Sequence, residues 1–237
     1  MIKKKSSKKF WNKEYDRPKH LAMSDDPAED AVKFSNWAER NSEWFPFPKN
    51  GMVVDFGCGN GRNIIYICEK YRMKGYGVDI SDVAVAQAKE IAQDLPIQFE
   101  AKNITEKLPL ADESVDVVLD MMTSHFLKEE ERKEFLHEIV RVLKPFGWFF
   151  FKTFVMDGDL HSKRLIEENP ADEENAYIHP QIGVYEYVWT EAKIDEFFKP
   201  HFRIHKAIKS YKHVTRDGKA YKRRTISVYM EKKRDID

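Results

Sequence analysis

Two cysteines, Cys58 and Cys68, are all that 237 residues contain. One lies in a turn between glycines and the other in the segment after it. Neither a disulfide framework nor a four-cysteine zinc site is available, and both are expected as reduced thiols. Long apolar runs are missing too: none approaches the roughly 20 residues that span a bilayer. The opening MIKKKSSKKF has the basic residues of a signal peptide without its apolar stretch. These absences predict a chain that stays in the cytoplasm and has no membrane partner. No repeat is visible, and no low-complexity tract beyond the first lysines. Net charge is absent as well, since 40 Lys/Arg balance 40 Asp/Glu. That balance hides a split: eight basic residues face two acidic ones in 1–20, and thirteen face four in 199–237, while 21–198 hold nineteen against thirty-four. The basic ends read as solvated tails or as contacts for an anionic partner.

What is present fits a single domain with a full core: 42% of residues are hydrophobic, with 16 Phe, 10 Tyr and 5 Trp to fill an interior. The division expected is a basic tail and helical cap over 1–49, a ligand-binding core over 50–155, an insertion over 156–189, and a terminal helix and hairpin over 190–237. From Met52 onward a short apolar run, a loop and a helical period alternate, which predicts parallel strands covered by helices. Strands are expected at 52–56, 75–80, 97–101, 115–121 and 148–154. Helices are expected over 62–73, where Ile64, Ile65, Cys68 and Tyr71 share a face, over 83–93 behind a Ser81 cap, and over 129–143. The polar stretch 156–188 is too long for a plain connection and is expected to lie over the active site. Thr190 caps a helix through Phe198, and 202–208 with 224–231 read as a hairpin joined around Asp217-Gly218.

The strongest local signal is Val53-Val54-Asp55-Phe56-Gly57-Cys58-Gly59-Asn60-Gly61. A buried strand ends in glycines and hands over to a helix, at the strand end where open α/β sheets bind ligands. Glycines there permit backbone angles and close approaches that a Cβ would block. A dinucleotide fingerprint would need glycine at 62, where Arg62 stands, and an acid such as Asp55 beside a pyrophosphate is unfavourable. The second strand ends at Asp79, whose carboxylate can accept both hydroxyl hydrogens of a ribose. An adenosine ligand without phosphates fits this pattern.

At these residues the sequence resembles the class I S-adenosylmethionine-dependent methyltransferases, whose D-x-G-x-G-x-G turn, acidic second-strand end and V-D-V-V strand it shares over about 50–155. The resemblance implies a doubly wound α/β fold: a mostly parallel seven-stranded sheet with an antiparallel last strand and helices on both faces. It implies S-adenosylmethionine as cofactor, S-adenosylhomocysteine as product and no metal. Asp55, Gly57, Cys58, Gly59 and Gly61 would hold the methionine portion, Asp79 the ribose, and Ile80, Asn103 and Ile104 the adenine, with Asn103 where the family often has Asp. The family's Lys-Pro-Gly-Gly turn stands here as Lys144-Pro145-Phe146-Gly147.

Methyl transfer from a sulfonium mainly needs alignment and exclusion of water. The acceptor is expected beyond the fourth strand, where Asp120 begins a loop that reaches His125. Asp120 is carried as a cofactor or catalytic residue. His125 is the first candidate for a base, since its ordinary pKa is near neutrality; packing is its bland alternative. Trp11 and Tyr15, four apart on one helical face, resemble an aromatic cap segment able to face a sulfonium. Tyr185, Tyr187 and Trp189 alternate, giving an extended segment one aromatic side that lines a pocket or packs as a half-buried strand. His161 and His179 lack the spacing and carboxylate partner of a metal pair.

A small-molecule acceptor methylated on oxygen, nitrogen or sulfur is the leading expectation. A protein side chain or RNA is the rival, served by Lys3, Lys4, Lys5, Lys8, Lys9, Lys219, Lys222, Arg223 and Arg224. The fourth strand continues as Leu119-Asp120-Met121-Met122, without the N-P-P-Y signature of base-amine enzymes. A rival of another class is a non-catalytic adenosylmethionine-binding partner subunit. Oligomeric state has no signature in the sequence.

Overall fold

The apolar runs assemble as β-strands edge to edge in a computed structural model, which describes residues 7–20, 24–43, 45–210, 215–216, 219–220 and 223–234. Two helices, α1 (Ser7–Asp16) and α2 (Glu29–Asn41), precede the alternating core: β1 (Met52–Phe56), α3 (Arg62–Tyr71), β2 (Lys74–Asp79), α4 (Asp82–Ala92), β3 (Ile97–Ala101), β4 (Val115–Met121), α5 (Glu129–Val142) and β5 (Leu143–Phe154). There follow α6 (Leu160–Glu168), β6 (Ala176–Ile178), β7 (Tyr185–Tyr187), α7 (Glu191–Phe198), β8 (Phe202–Lys209), β9 (Thr215–Arg216), β10 (Lys219–Ala220) and β11 (Thr225–Lys232). Caps sit where the sequence places them: Ser81 Oγ accepts from Ala84 N at 3.1 Å, and Thr190 Oγ1 from Lys193 N at 3.1 Å.

One seven-stranded sheet runs β3-β2-β1-β4-β5-β11-β8, with β11 antiparallel to both its neighbours and the other six strands parallel. Alternation along each strand decides which layer a side chain joins. Trp148 and Phe150 face α2, α3 and α4, whereas Phe149 and Phe151 face α5 and α7. Both faces are therefore covered, which explains the unbroken apolar run of β5. Between the parallel strands β1 and β4 the order of strand addition reverses, and the crevice opens there at the carboxyl ends of the strands.

Three features of the sequence take definite form. Residues 156–188 carry a helix and a two-stranded ribbon, β6–β7, with Val155 and Trp189 bridged so that the excursion starts and ends at one point. The turn after α5 puts Phe146, rather than a glycine, at φ 64°, a left-handed position that ordinarily favours glycine. Of the aromatic triplet, Tyr187 and Trp189 enter the main core and only Tyr185 reaches a cavity. Lys3, Lys4, Lys5, Lys222 and Asp217-Gly218 lie outside the described residues.

Candidate active site

The turn after β1 is held against β2 by two backbone bonds, since Gly57 N and Cys58 N both donate to Val78 O, at 2.7 and 3.0 Å. Gly57, Gly59 and Gly61 have φ of 74°, 56° and 82°. A Cβ on Gly57 would lie 2.1 Å from Thr123 Oγ1, and one on Gly59 would lie 2.4 Å from the Tyr15 hydroxyl. The glycines are thus demanded twice, by backbone angle and by close approach. Asp79, buried at the end of β2, accepts from Gly59 N through one oxygen (3.0 Å) and from Ser81 N through the other (2.8 Å). Burial raises its pKa, and those donors oppose the rise. Each oxygen keeps a further lone pair, so the carboxylate can still accept a vicinal diol.

These groups open on a cavity of about 850 Å³. Of the residues expected at the site, it brings together Trp11, Tyr15, Gly57, Cys58, Gly59, Asp79, Ile80, Asn103 and Ile104. Helix α1 is seated over it by Lys8 to Asp82 (3.0 Å), Ser81 Oγ to Asn12 Oδ1 (2.8 Å) and Gln87 Nε2 to Tyr15 O (3.0 Å). Trp11 meets Phe126 edge-on at 5.0 Å. Burial holds the Tyr15 phenol well above its ordinary pKa, so it stays neutral. Cys58 Sγ points back to Gly59 O, and burial raises that thiol as well, which makes it inert. Asn103 Oδ1 already accepts from Thr105 N at 3.2 Å and keeps one lone pair for a ligand.

Four expected residues stand off the wall. Gly61 packs toward Ile65, Ala88 and Phe99. Asp55 and Asp120 lie beneath the turn on adjacent strands, each fully buried with Oδ2 lacking a partner among the described residues. Burial, then Asp120 and Asp79, push Asp55 up to about 8. Asp120, whose Oδ1 accepts from Thr123 N and Ser124 N, is pushed to about 6 by burial. His125 does not reach the cavity: its neighbour Phe126 takes the wall, while its ring packs 4.0 Å from Phe126 and 5.1 Å from Phe154. Both ring nitrogens are buried without a partner among the described residues, and burial lowers its pKa to about 4. A base there has no access to an acceptor in this cavity.

The wall also holds residues that the sequence did not single out for this role. Arg62, the first residue of α3, lines the cavity, and its charge reaches Tyr15 and Asp55. Lys152 at the end of β5 pairs with Asp30 of α2, and Lys128 with Asp172 at 2.6 Å. Asn60 and Asn63 bind the chain at 24–28, through Ser24 O and Ala28 N. Met122, at the end of β4, has φ 66°, a sparsely populated angle of the kind that collects at functional sites. None of these carries a local motif except Arg62, which directly follows the glycine turn.

A doubly wound sheet with a glycine turn and a buried aspartate at its switch point defines a Rossmann-like fold whose crevice can take an adenosine ligand. The Asp79 carboxylate suits a diol, the glycine cradle leaves no room for side chains, and Arg62 suits a carboxylate; together they fit S-adenosylmethionine. Residues 53–147 match the family model described as a methyltransferase domain. The chain is 29% identical over 165 residues to phthiotriol/phenolphthiotriol dimycocerosates methyltransferase 1 of Mycobacterium ulcerans, an alignment covering 68% of this chain and 56% of that protein. It thus spans little more than half the length of that relative. In fold it is similar to a SAM-dependent methyltransferase from Methanosarcina mazei (TM-score 0.66, 20% identity, covering 79% of this chain and 95% of that one). It is similar also to 1,6-didemethyltoxoflavin-N1-methyltransferase of Burkholderia thailandensis, solved with 1,6-didemethyltoxoflavin and S-adenosylhomocysteine (TM-score 0.60, 17% identity, 87% and 79% covered). Over 53–147 the chain thus matches a methyltransferase domain, and its fold is that of the S-adenosylmethionine-dependent methyltransferases it resembles.

Proposed function

We propose that this protein transfers the methyl group of S-adenosylmethionine to a small molecule with a largely apolar body. The observation that carries this reading is one cavity, about 850 Å³, reaching from the glycine turn and Asp79 to a wall of Met122, Phe126, Leu127, Val184 and Tyr185. That is a size and lining suited to a small ligand beside the cofactor. Asp79 binds the ribose hydroxyls, Ile80 and Ile104 flank the adenine, Asn103 accepts from its amino group, and Arg62 takes the methionyl carboxylate. When bound, the cofactor would supply an electrophilic methyl group to a lone pair of the acceptor. Trp11 and Tyr15 close the cavity from α1 and exclude water, and the strand ends hold the acceptor in line. The curated relative acts on phthiotriol and phenolphthiotriol dimycocerosates, which supports an apolar acceptor. The test is calorimetric titration with S-adenosylmethionine, S-adenosylhomocysteine and NAD, followed by an acceptor screen that reads S-adenosylhomocysteine release. Binding of the first two alone, with turnover on a small molecule, is the expected result.

Two outcomes follow for the cofactor. Asp79→Asn, which keeps one acceptor oxygen and loses the charge, is expected to weaken S-adenosylmethionine binding by about 1–3 kcal/mol; unchanged affinity in the same titration removes the ribose assignment. Because Asp55 stands near 8 in the free protein, it is mostly protonated at neutral pH, and a cationic ligand favours its charged form. Binding then releases protons, and affinity rises as pH climbs through about 8. Titration at that pH is expected to be more exothermic in Tris than in phosphate, since Tris absorbs the released protons with heat. Asp55→Asn removes the difference; equal enthalpies in the unsubstituted protein contradict the coupling.

A further inference from the structure

The cavity wall supplied by the first turn of α5 and by β7 is unlike the rest of the site in its hydrogen-bonding character. Glu131 lines the cavity. One of its oxygens accepts from Lys128 N at 2.8 Å as part of a capping box, and Oε1 has no hydrogen-bond or ion-pair partner among the described residues. The same wall includes Tyr185, whose hydroxyl donates to Glu173. Glu173 is itself secured by the buried Arg132 and by Glu129 N at 3.2 Å. Arg132 lies 3.8 Å over the Tyr187 ring, so the carboxylate has a fixed seat. With its proton committed to Glu173, and its pKa raised by burial and that bond, the phenol presents only a lone pair to a further partner.

Glu131 Oε1 and Tyr185 Oη are therefore both acceptors. The two lysines in the wall do not reverse this character, because Lys128 is engaged by Asp172 and Lys152 by Asp30. Apart from Thr123, the lining next to them, Met122, Phe126, Leu127 and Val184, is apolar. We propose that Glu131 and Tyr185 recognise a hydrogen-bond donor on the acceptor, so that the acceptor is an amine or alcohol on an apolar body, and not a carboxylate or phosphate. A carboxylate would meet two lone-pair surfaces and the negative charge of Glu131, with Lys128, 5.9 Å from the Tyr185 ring, already shared among Asp172, Glu131 and Glu173, an arrangement that discriminates by repulsion as well as by attraction. This inference rests on the methyl-transfer reading of the same cavity.

The test uses three ligands with one apolar body: 4-phenylbutylamine, 4-phenylbutan-1-ol and 4-phenylbutanoate. Each is titrated into the full-length protein saturated with S-adenosylhomocysteine. The amine is expected to bind at least about tenfold more tightly than the carboxylate, with the alcohol between them, since a hydrogen bond to a charged group is stronger than one between neutral groups. Glu131→Gln keeps the cap bond to Lys128 N. It is expected to cut the preference for amine over carboxylate by about tenfold, with S-adenosylhomocysteine affinity retained. Tyr185→Phe keeps the ring and is expected to weaken the alcohol most. A preference for the carboxylate, equal binding of all three, or binding of none overturns the proposal. Loss of S-adenosylhomocysteine affinity in Glu131→Gln also overturns it, by assigning Glu131 to the cofactor. Failure of the unsubstituted protein to bind S-adenosylhomocysteine is a separate result, and it removes the methyltransferase reading itself.

Discussion

Gly57→Ala is expected to lower the unfolding free energy by about 2–5 kcal/mol and to abolish measurable S-adenosylmethionine binding. Two costs combine. A non-glycine residue held at φ 74° carries about 1–2 kcal/mol of backbone strain. The added Cβ would also stand 2.1, 2.3 and 2.6 Å from Oγ1, Cγ2 and Cβ of Thr123. No rotation of a β-branched side chain relieves a contact that includes its own Cβ, and Thr123 N is tied to Asp120 at 3.2 Å. Forcing an extra methyl into such a space costs about 1–3 kcal/mol more. Urea unfolding followed in parallel with calorimetry checks both halves. Adding Thr123→Gly to the same chain separates them, because it removes the collision and leaves the backbone angle. Recovery of about half the lost stability is expected, and no recovery means that the angle alone dominates.

The second large effect lies away from the cavity. Phe150→Ala is expected to cost about 3–5 kcal/mol, the range for truncating a buried phenylalanine. Phe150 is fully buried in β5, stacks on Phe34 of α2 at 4.9 Å with 14° between planes, and meets Tyr229 of β11 edge-on at 5.5 Å. The ring thus joins a covering helix to two strands. Chemical denaturation measures the loss, which is a large part of the 5–15 kcal/mol typical of a whole domain. Cofactor affinity measured well below the transition is expected to change little, because the cavity wall does not include Phe150. A loss under about 1 kcal/mol would show that neighbouring rings close the space.

Much of the fold was legible because strands buried on both faces leave predominantly apolar runs, as at 52–56, 115–121 and 148–154. Capping is local too, so Ser81 and Thr190 announce their helices through an oxygen three residues from its donor. The stretch 156–189 gave no such signal. Its strands are three residues long, and Leu165, Tyr177 and Val188 close a small cluster of their own. Periodicity needs longer elements than these.

The glycine turn and Asp79 were determined by sequence alone, because the chemistry of that site is written in backbone freedom and in a carboxylate at a strand end. What the tertiary structure decided is which side chains face the ligand. Adjacent residues on the short turn after β4 part ways, Phe126 to the cavity and His125 into the core, and no local rule separates them. Lys152 meets Asp30 from 122 positions away, and Arg132, 41 positions from Glu173, seats the carboxylate that holds Tyr185. Charges and hydrogen bonds act through space, so their pairing appears only once the sheet has closed and the insertion has folded back over the strand ends.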